Sequence, residues 1–114
     1  MKRIYTYGHQ HVERNITIAD IIANKKNKIK MTQVTAQNRE EAEILSDQNI
    51  DMIITGSDTY EEVRQGAPNT FITAALFAGR FKTKNDILKG AIEVAMKGAD
   101  SVLTPRSPEI VVML

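Results

Sequence analysis

Short apolar runs alternating with amphipathic stretches, four times over, constrain this chain more than any other feature. Residues 29–35 alternate in the manner of a strand, and residues 51–56 form a brief apolar run stopped by Gly56. Residues 69–76 and 99–104 supply a third and a fourth run. Short apolar runs of this kind suit strands covered on both faces. Between them, Asn38 followed by Glu41 opens a helix carrying Ala42, Ile44 and Leu45, a cap-and-return layout that satisfies the free N–H groups of a first turn. Ser57 or Asp58 stands where a cap is expected for a second helix, Tyr60 to Gln65, closing at Gly66. The segment from Thr83 opens the longest helix, with Ile87, Leu88, Ala91, Val94 and Ala95 as its stripe and Gly98 as its terminator. Ser107-Pro108 begins one more.

Ahead of the first strand, after a short extended start, Ile18, Ile21 and Ile22 fall at helical spacing behind Thr17, so a short leading helix is expected. Strands joined through helices run parallel, with right-handed connections. Two architectures satisfy the pattern: half of a parallel (β/α)8 barrel, or a small open parallel sheet with helices on both faces. The length of 114 residues bounds the chain at one domain, residues 1–114. A complete eight-stranded barrel usually takes roughly 250 residues, so a barrel reading requires a half completed by another copy or by further chain.

Composition narrows the function classes. The formal net charge of +1 is spread over both signs, without the basic excess that marks nucleic-acid binders. There is no cysteine, which removes disulfides and thiolate chemistry together and suits a cytoplasmic setting. No segment approaches the roughly twenty apolar residues of a membrane span, and the basic Lys2-Arg3 start lacks a following apolar run of signal-peptide length.

Three ordered stretches resemble the ketopantoate hydroxymethyltransferase family, within the phosphoenolpyruvate mutase and isocitrate lyase superfamily of barrels. They are Thr17-Ile18-Ala19-Asp20-Ile21-Ile22 leading into Lys30-Met31-Thr32-Gln33-Val34-Thr35-Ala36; Ile53-Ile54-Thr55-Gly56-Ser57-Asp58; and Val63-Arg64-Gln65-Gly66-Ala67-Pro68-Asn69 with Gly98-Ala99-Asp100-Ser101-Val102. The resemblance implies the N-terminal half of a barrel, in a decameric cytoplasmic enzyme of pantothenate biosynthesis. It implies transfer of a hydroxymethyl group from methylenetetrahydrofolate to a small 2-oxo acid, with magnesium polarising the keto acid.

Departures from the family pattern fall on its chemistry. Ser57 stands where the first metal-binding aspartate aligns, with Asp58 one place later; Ala75 replaces the second aspartate; Leu103 and Pro105 replace a lysine and a glutamate. A hard cation wants several oxygen ligands, and only Asp58 is offered. The alternative expectation is therefore a catalytically degenerate relative serving as a subunit or as a module that binds 2-oxo acids or other anions.

In parallel βα folds functional residues gather at the carboxyl ends of the strands. Ser57, Arg106 and Ser107 are the expected substrate-binding residues, and Asp58 the expected metal ligand. Arg106 and Ser107 lie at an expected helix start, where free N–H groups favour an anion. Each of these residues has a plainer reading as a cap or a surface charge. Arg80 and Lys82 are read as solvated loop charges, and the lysines from Lys25 to Lys30 as a solvated turn. His9 and His11 alternate as if on one side of a strand but lack a third ligand. Met31, Met52 and Met96 read as core filling.

Overall fold

The computed structural model describes residues 1–77, 81 and 83–104. A two-stranded hairpin, β1 (Lys2–Tyr5) and β2 (His11–Arg14), comes first, then α1 (Ile18–Lys26). There follow β3 (Gln33–Thr35), α2 (Arg39–Ser46), β4 (Met52–Gly56), α3 (Tyr60–Gly66), β5 (Phe71–Ala75), α4 (Lys84–Met96) and β6 (Ser101–Leu103). The four later strands form one parallel sheet in the sequential order β3-β4-β5-β6.

Local chemistry accounts for most boundaries. Thr17 and Asp20 form a reciprocal capping box, each side chain accepting from the other's backbone N–H. Asn38 and Thr83 accept from the third residue of α2 and α4 in the same way. At α3 the expected caps are not used: the N-cap is Thr59, and its side chain makes no cap bond. Its hydroxyl instead pairs with that of Thr55 at 2.6 Å, which holds the turn against the strand end. The helix of Ser107 lies outside the described residues.

The register sorts the strand residues onto two faces. Val34, Ile53 and Ile72 stand side by side, as do Thr55, Ala74 and Val102, and this face meets the helices. Ala42 of α2, Val63 and Tyr60 of α3 and Val94 of α4 share one core with Ile53, Ile72 and Ala74. The described strands thus form a small open parallel sheet, as one of the two expected architectures has it, but all three connecting helices lie on a single face instead of on both. The reason is topological: consecutive right-handed connections between sequential neighbours place every helix on the same side.

The opposite face carries Thr35, Ile54, Thr73 and Ser101 in one row and Gly56, Ala75 and Leu103 in the next. Thr73 and Ser101 share a hydroxyl hydrogen bond of 2.6 Å. β3 is three residues long rather than the expected seven; among the described residues it pairs only with β4, and Thr32 before it adds a single backbone bond, its carbonyl accepting from Met52 N–H at 3.0 Å.

The extended start is an antiparallel hairpin, unanticipated in the sequence, and it is pinned to the amino end of the sheet by buried charge. Arg14, at the end of β2, is 2% exposed, and its Nε donates to both oxygens of Asp100 at 2.9 Å. Arg64 donates from Nη2 to the same carboxylate at 2.8 Å, and the backbone N–H of Ile72 adds a bond of 3.0 Å. The remaining guanidinium donors reach the carbonyls of Pro68, Ala67, Thr70 and Gly98. Burying two guanidiniums costs several kcal/mol each unless every donor is matched, and here acceptors surround both. Asn15 continues the seam, donating to the Asp51 carbonyl and accepting from the Phe71 N–H.

The expected leading helix forms as α1, though it buries none of its residues. One expectation fails on packing: Met96, read as core filling, is 53% exposed. His9 sits in the hairpin turn at positive φ, outside the strand that contains His11, so the two histidines do not share a strand face. His11 stacks on Tyr5 instead, ring centres 5.1 Å apart.

Candidate functional site

The carboxyl ends of β3, β4, β5 and β6 open onto one concavity of ≈ 480 Å³. Its wall is built where each strand gives way to its loop. Thr35 and Gln37 come from β3 and the turn after it, Ile54, Thr55, Asp58 and Thr59 from β4 and its turn, Ala75 and Phe77 from β5, and Leu103 from β6. The ladder runs on past the strands, with Ser57 N–H donating to the Ala75 carbonyl and Leu76 N–H to the Leu103 carbonyl, each at 2.9 Å. With Ala36 N–H donating to the Ile54 carbonyl at 3.2 Å, these bonds hold the four strand ends in line, so the rim is preformed.

Gly56 lets two side chains close over the centre of the rim. A Cβ there would lie 2.6 Å from Asp58 Oδ1 and 2.7 Å from the Phe77 ring, closer than real Cβ contacts. The missing side chain lets the Asp58 carboxylate fold back over the strand end beside an aromatic edge. Thr55 and Thr59 supply a hydroxyl pair just beneath.

Of the expected site residues, the structure brings Asp58 to the concavity wall and places Ser57 in the same turn, half-buried and engaged through its backbone with β5. Arg106 and Ser107, with Pro105, Arg80 and Lys82, lie outside the described residues. Ala75 and Leu103 line the concavity. Thr35, Gln37 and Thr55 fall within the strand ends that the sequence pattern puts at residues 35–38 and 55–58, without an assigned role, whereas Thr59 and Phe77 lie outside them.

The wall offers one carboxylate and no lysine, arginine or histidine among the described residues. Nor does any group of three or more His, Cys, Asp or Glu able to hold a metal occur among the described residues. Magnesium would take six oxygens near 2.1 Å, commonly including one or two carboxylates; Asp58 with two threonine hydroxyls is a poor match, so the residues present do not fit the ion and no step is assigned to it here.

At the amino end a second concavity of ≈ 250 Å³ lies between hairpin, α1 and sheet, bounded by Tyr5, Tyr7, Ile18 and Phe71. The Arg14–Asp100–Arg64 cluster closes this end, which in parallel folds of this kind serves stability rather than chemistry. Asp20 sits at its edge beside Lys2, whose ammonium together with the Thr17 N–H holds the carboxyl below its usual range. No family model, curated protein or solved structure matches this chain.

Proposed function

We propose that this chain is one half of a parallel (β/α)8 barrel of the ketopantoate hydroxymethyltransferase type, and that its strand-end concavity holds a small 2-oxo acid in a cytoplasmic setting. The observation that carries the reading is the pairing of sequential strand order with a helix-free inner face whose carboxyl ends converge on one preformed hollow. Ligand hollows of several hundred Å³ with apolar walls and a few polar groups are the usual form of small-molecule sites, and the wall here mixes Ile54, Phe77 and Leu103 with threonine hydroxyls.

In this reading the branched end of the 2-oxo acid packs on Ile54 and Leu103, and its keto oxygen accepts from Thr59, whose hydroxyl the buried Thr55 holds in place. Its carboxylate is assigned to Arg106 and Ser107, because the described wall supplies no cation. Proton transfer, the one-carbon donor and any metal come from groups outside this half.

Ala75 and Leu103 on the wall favour a second reading, in which the chain binds the acid as a catalytically degenerate subunit. Amide chemical shifts of the isotope-labelled chain, followed during titration with 2-oxoisovalerate, test the common core of both. Shifts at Thr35, Gly56, Asp58 and Ala75, with an affinity on the order of 1 mM, are expected, and Arg106→Met weakens them. Absence of shifts at the rim ends the proposal. Turnover with formaldehyde when the barrel is completed supports the enzyme reading; binding without turnover, indifferent to magnesium, supports the subunit.

A further inference from the structure

The inner face of the sheet carries a hydroxyl pair whose hydrogen bonding is incomplete. Thr73 Oγ1 and Ser101 Oγ lie 2.6 Å apart on adjacent strands, and both residues are half-buried. Each hydroxyl brings one proton and two lone pairs. The bond between them spends one proton, so one of the two always keeps a proton to give. Among the described residues neither hydroxyl makes a second hydrogen bond. A donor left unmet once water is excluded costs more than a formed bond contributes, so whatever covers this pair has to supply an acceptor.

Register places the pair at the floor of the strand-end concavity. Thr73 stands beside Ile54 in the row that begins with Thr35, and both of those residues line the concavity. Ala75 and Leu103 line it too. They stand two residues beyond Thr73 and Ser101 on the same face, about 7 Å further along β5 and β6. The pair is therefore bounded on two sides by residues of the wall. A straight path from Ile54 to Leu103, the two apolar contacts assigned to the far end of the acid, crosses β5 between Thr73 and Ala75.

We infer that the Thr73–Ser101 pair is a second polar anchor of this site, and that it takes a hydroxyl group carried on the end of the acid remote from its carboxylate. The inference rests on the concavity being a 2-oxo acid site. Chemistry selects among the groups that could meet the pair. A carboxylate is a poor occupant, because the described wall supplies no cation and a charge taken out of water needs one. An alkyl end covers the pair and leaves its proton with nothing to accept it. A keto oxygen accepts that proton but gives nothing to the lone pairs that remain. An alcohol does both, accepting the spare proton and donating its own to a free lone pair of the neighbouring hydroxyl. Sites that hydrogen-bond a ligand hydroxyl discriminate against the analogue lacking it, since their own polar groups are then left unpaired.

Two acids of the same shape test it: 4-hydroxy-2-oxobutanoate, and 2-oxopentanoate, in which a methyl group replaces the hydroxyl. Each is titrated into the isotope-labelled intact chain, with amide shifts at Thr35 and Ala75 reporting the rim and those at Thr73 and Ser101 the floor. The hydroxy acid is expected to bind about tenfold more tightly and to shift the floor amides further. The double variant Thr73→Val with Ser101→Ala, its fold checked by circular dichroism, brings the two affinities within about twofold of each other. Equal affinities in the unaltered chain overturn the inference whether or not that variant folds, and so does a preference that survives in the variant. If neither acid shifts the rim, the 2-oxo acid site fails and this inference with it. If both bind at the rim with equal strength, only the hydroxyl anchor is lost.

Discussion

Replacing Asp100 by asparagine should destabilise this protein more than any other near-isosteric change, because one carboxylate there neutralises two buried guanidiniums. Its side chain is 4% exposed and accepts from Arg14, Arg64 and the Ile72 N–H. Asparagine keeps one acceptor oxygen but turns an NH2 group toward donors and removes the charge. Breaking a buried ion pair by removing one partner costs about 3–5 kcal/mol, against a total stability of roughly 5–15 kcal/mol for a small domain. With an unfolding entropy of roughly 0.24 kcal/mol/K for a chain of this length, Tm falls by about 12–20 °C. Arg14→Met should cost less, about 2 kcal/mol, because Arg64 still satisfies the carboxylate. It should also release the hairpin preferentially, since Arg14 and Asn15 are its side-chain ties to the sheet. Urea unfolding followed by circular dichroism gives the first quantity, and amide hydrogen exchange of residues 2–14 gives the second. A loss below about 1 kcal/mol for Asp100→Asn would refute the argument that charge balance at this end holds the two parts together.

Gly66→Ala should cost about 1–3 kcal/mol by overpacking, because the new Cβ would collide with the Arg39 carbonyl and stand 2.9 Å from the Ala42 Cβ where α2 and α3 touch; thermal melts check it. Lys28→Gly should instead stabilise by about 0.5–1 kcal/mol. Lys28 holds φ 58 at the position after the C-cap of α1, in a Schellman turn closed by Ile29 N–H to the Asn24 carbonyl and Lys28 N–H to the Lys25 carbonyl. A lower melting temperature in that variant counts against the strain assigned to the turn. For Tyr60, burial pushes the phenol up, partly offset by Arg64, whose Nε donates to its Oη. A phenol raised on folding stabilises fully below the unfolded value near 10 and loses that stabilisation as pH climbs beyond it. Stability should therefore fall from about pH 10 upward, less steeply in Tyr60→Phe, as urea midpoints across pH 8–11 would show. At the rim, Gly56→Ala should displace the Asp58 carboxylate and the Phe77 ring rather than unfold the chain, visible as amide shifts at Thr55, Asp58 and Phe77 with little change in melting temperature.

Much of the architecture was legible because local rules act on few residues. Thr17, Asn38 and Thr83 announce their helices by satisfying first-turn N–H groups, and the runs around residues 52–56 and 71–75 could be nothing but buried strands once helices flanked them. The α3 cap was misassigned because Ser57, Asp58 and Thr59 are all competent caps, and the choice depends on Thr55, which draws the Thr59 hydroxyl away. The hairpin escaped notice because its turn, Thr6 to Gln10, lacks an Asn-Gly or Asp-Gly signature and holds His9 at positive φ.

The candidate site divides in the same way. Thr35, Thr55 and Asp58 were readable as polar residues at strand ends, whereas Thr59 and Phe77 gain meaning only when four strand ends are brought side by side. From residue 17 onward the amino-acid order by itself determined which segments are strand or helix and that the four sheet strands run parallel, since hydrophobic period, capping and connection length are local properties. Which face the helices cover, that Arg14 meets Asp100 across 86 residues, and that α1 buries none of its residues were decided only in three dimensions. Those outcomes depend on contacts between residues far apart in the chain, whose energies no window of sequence contains.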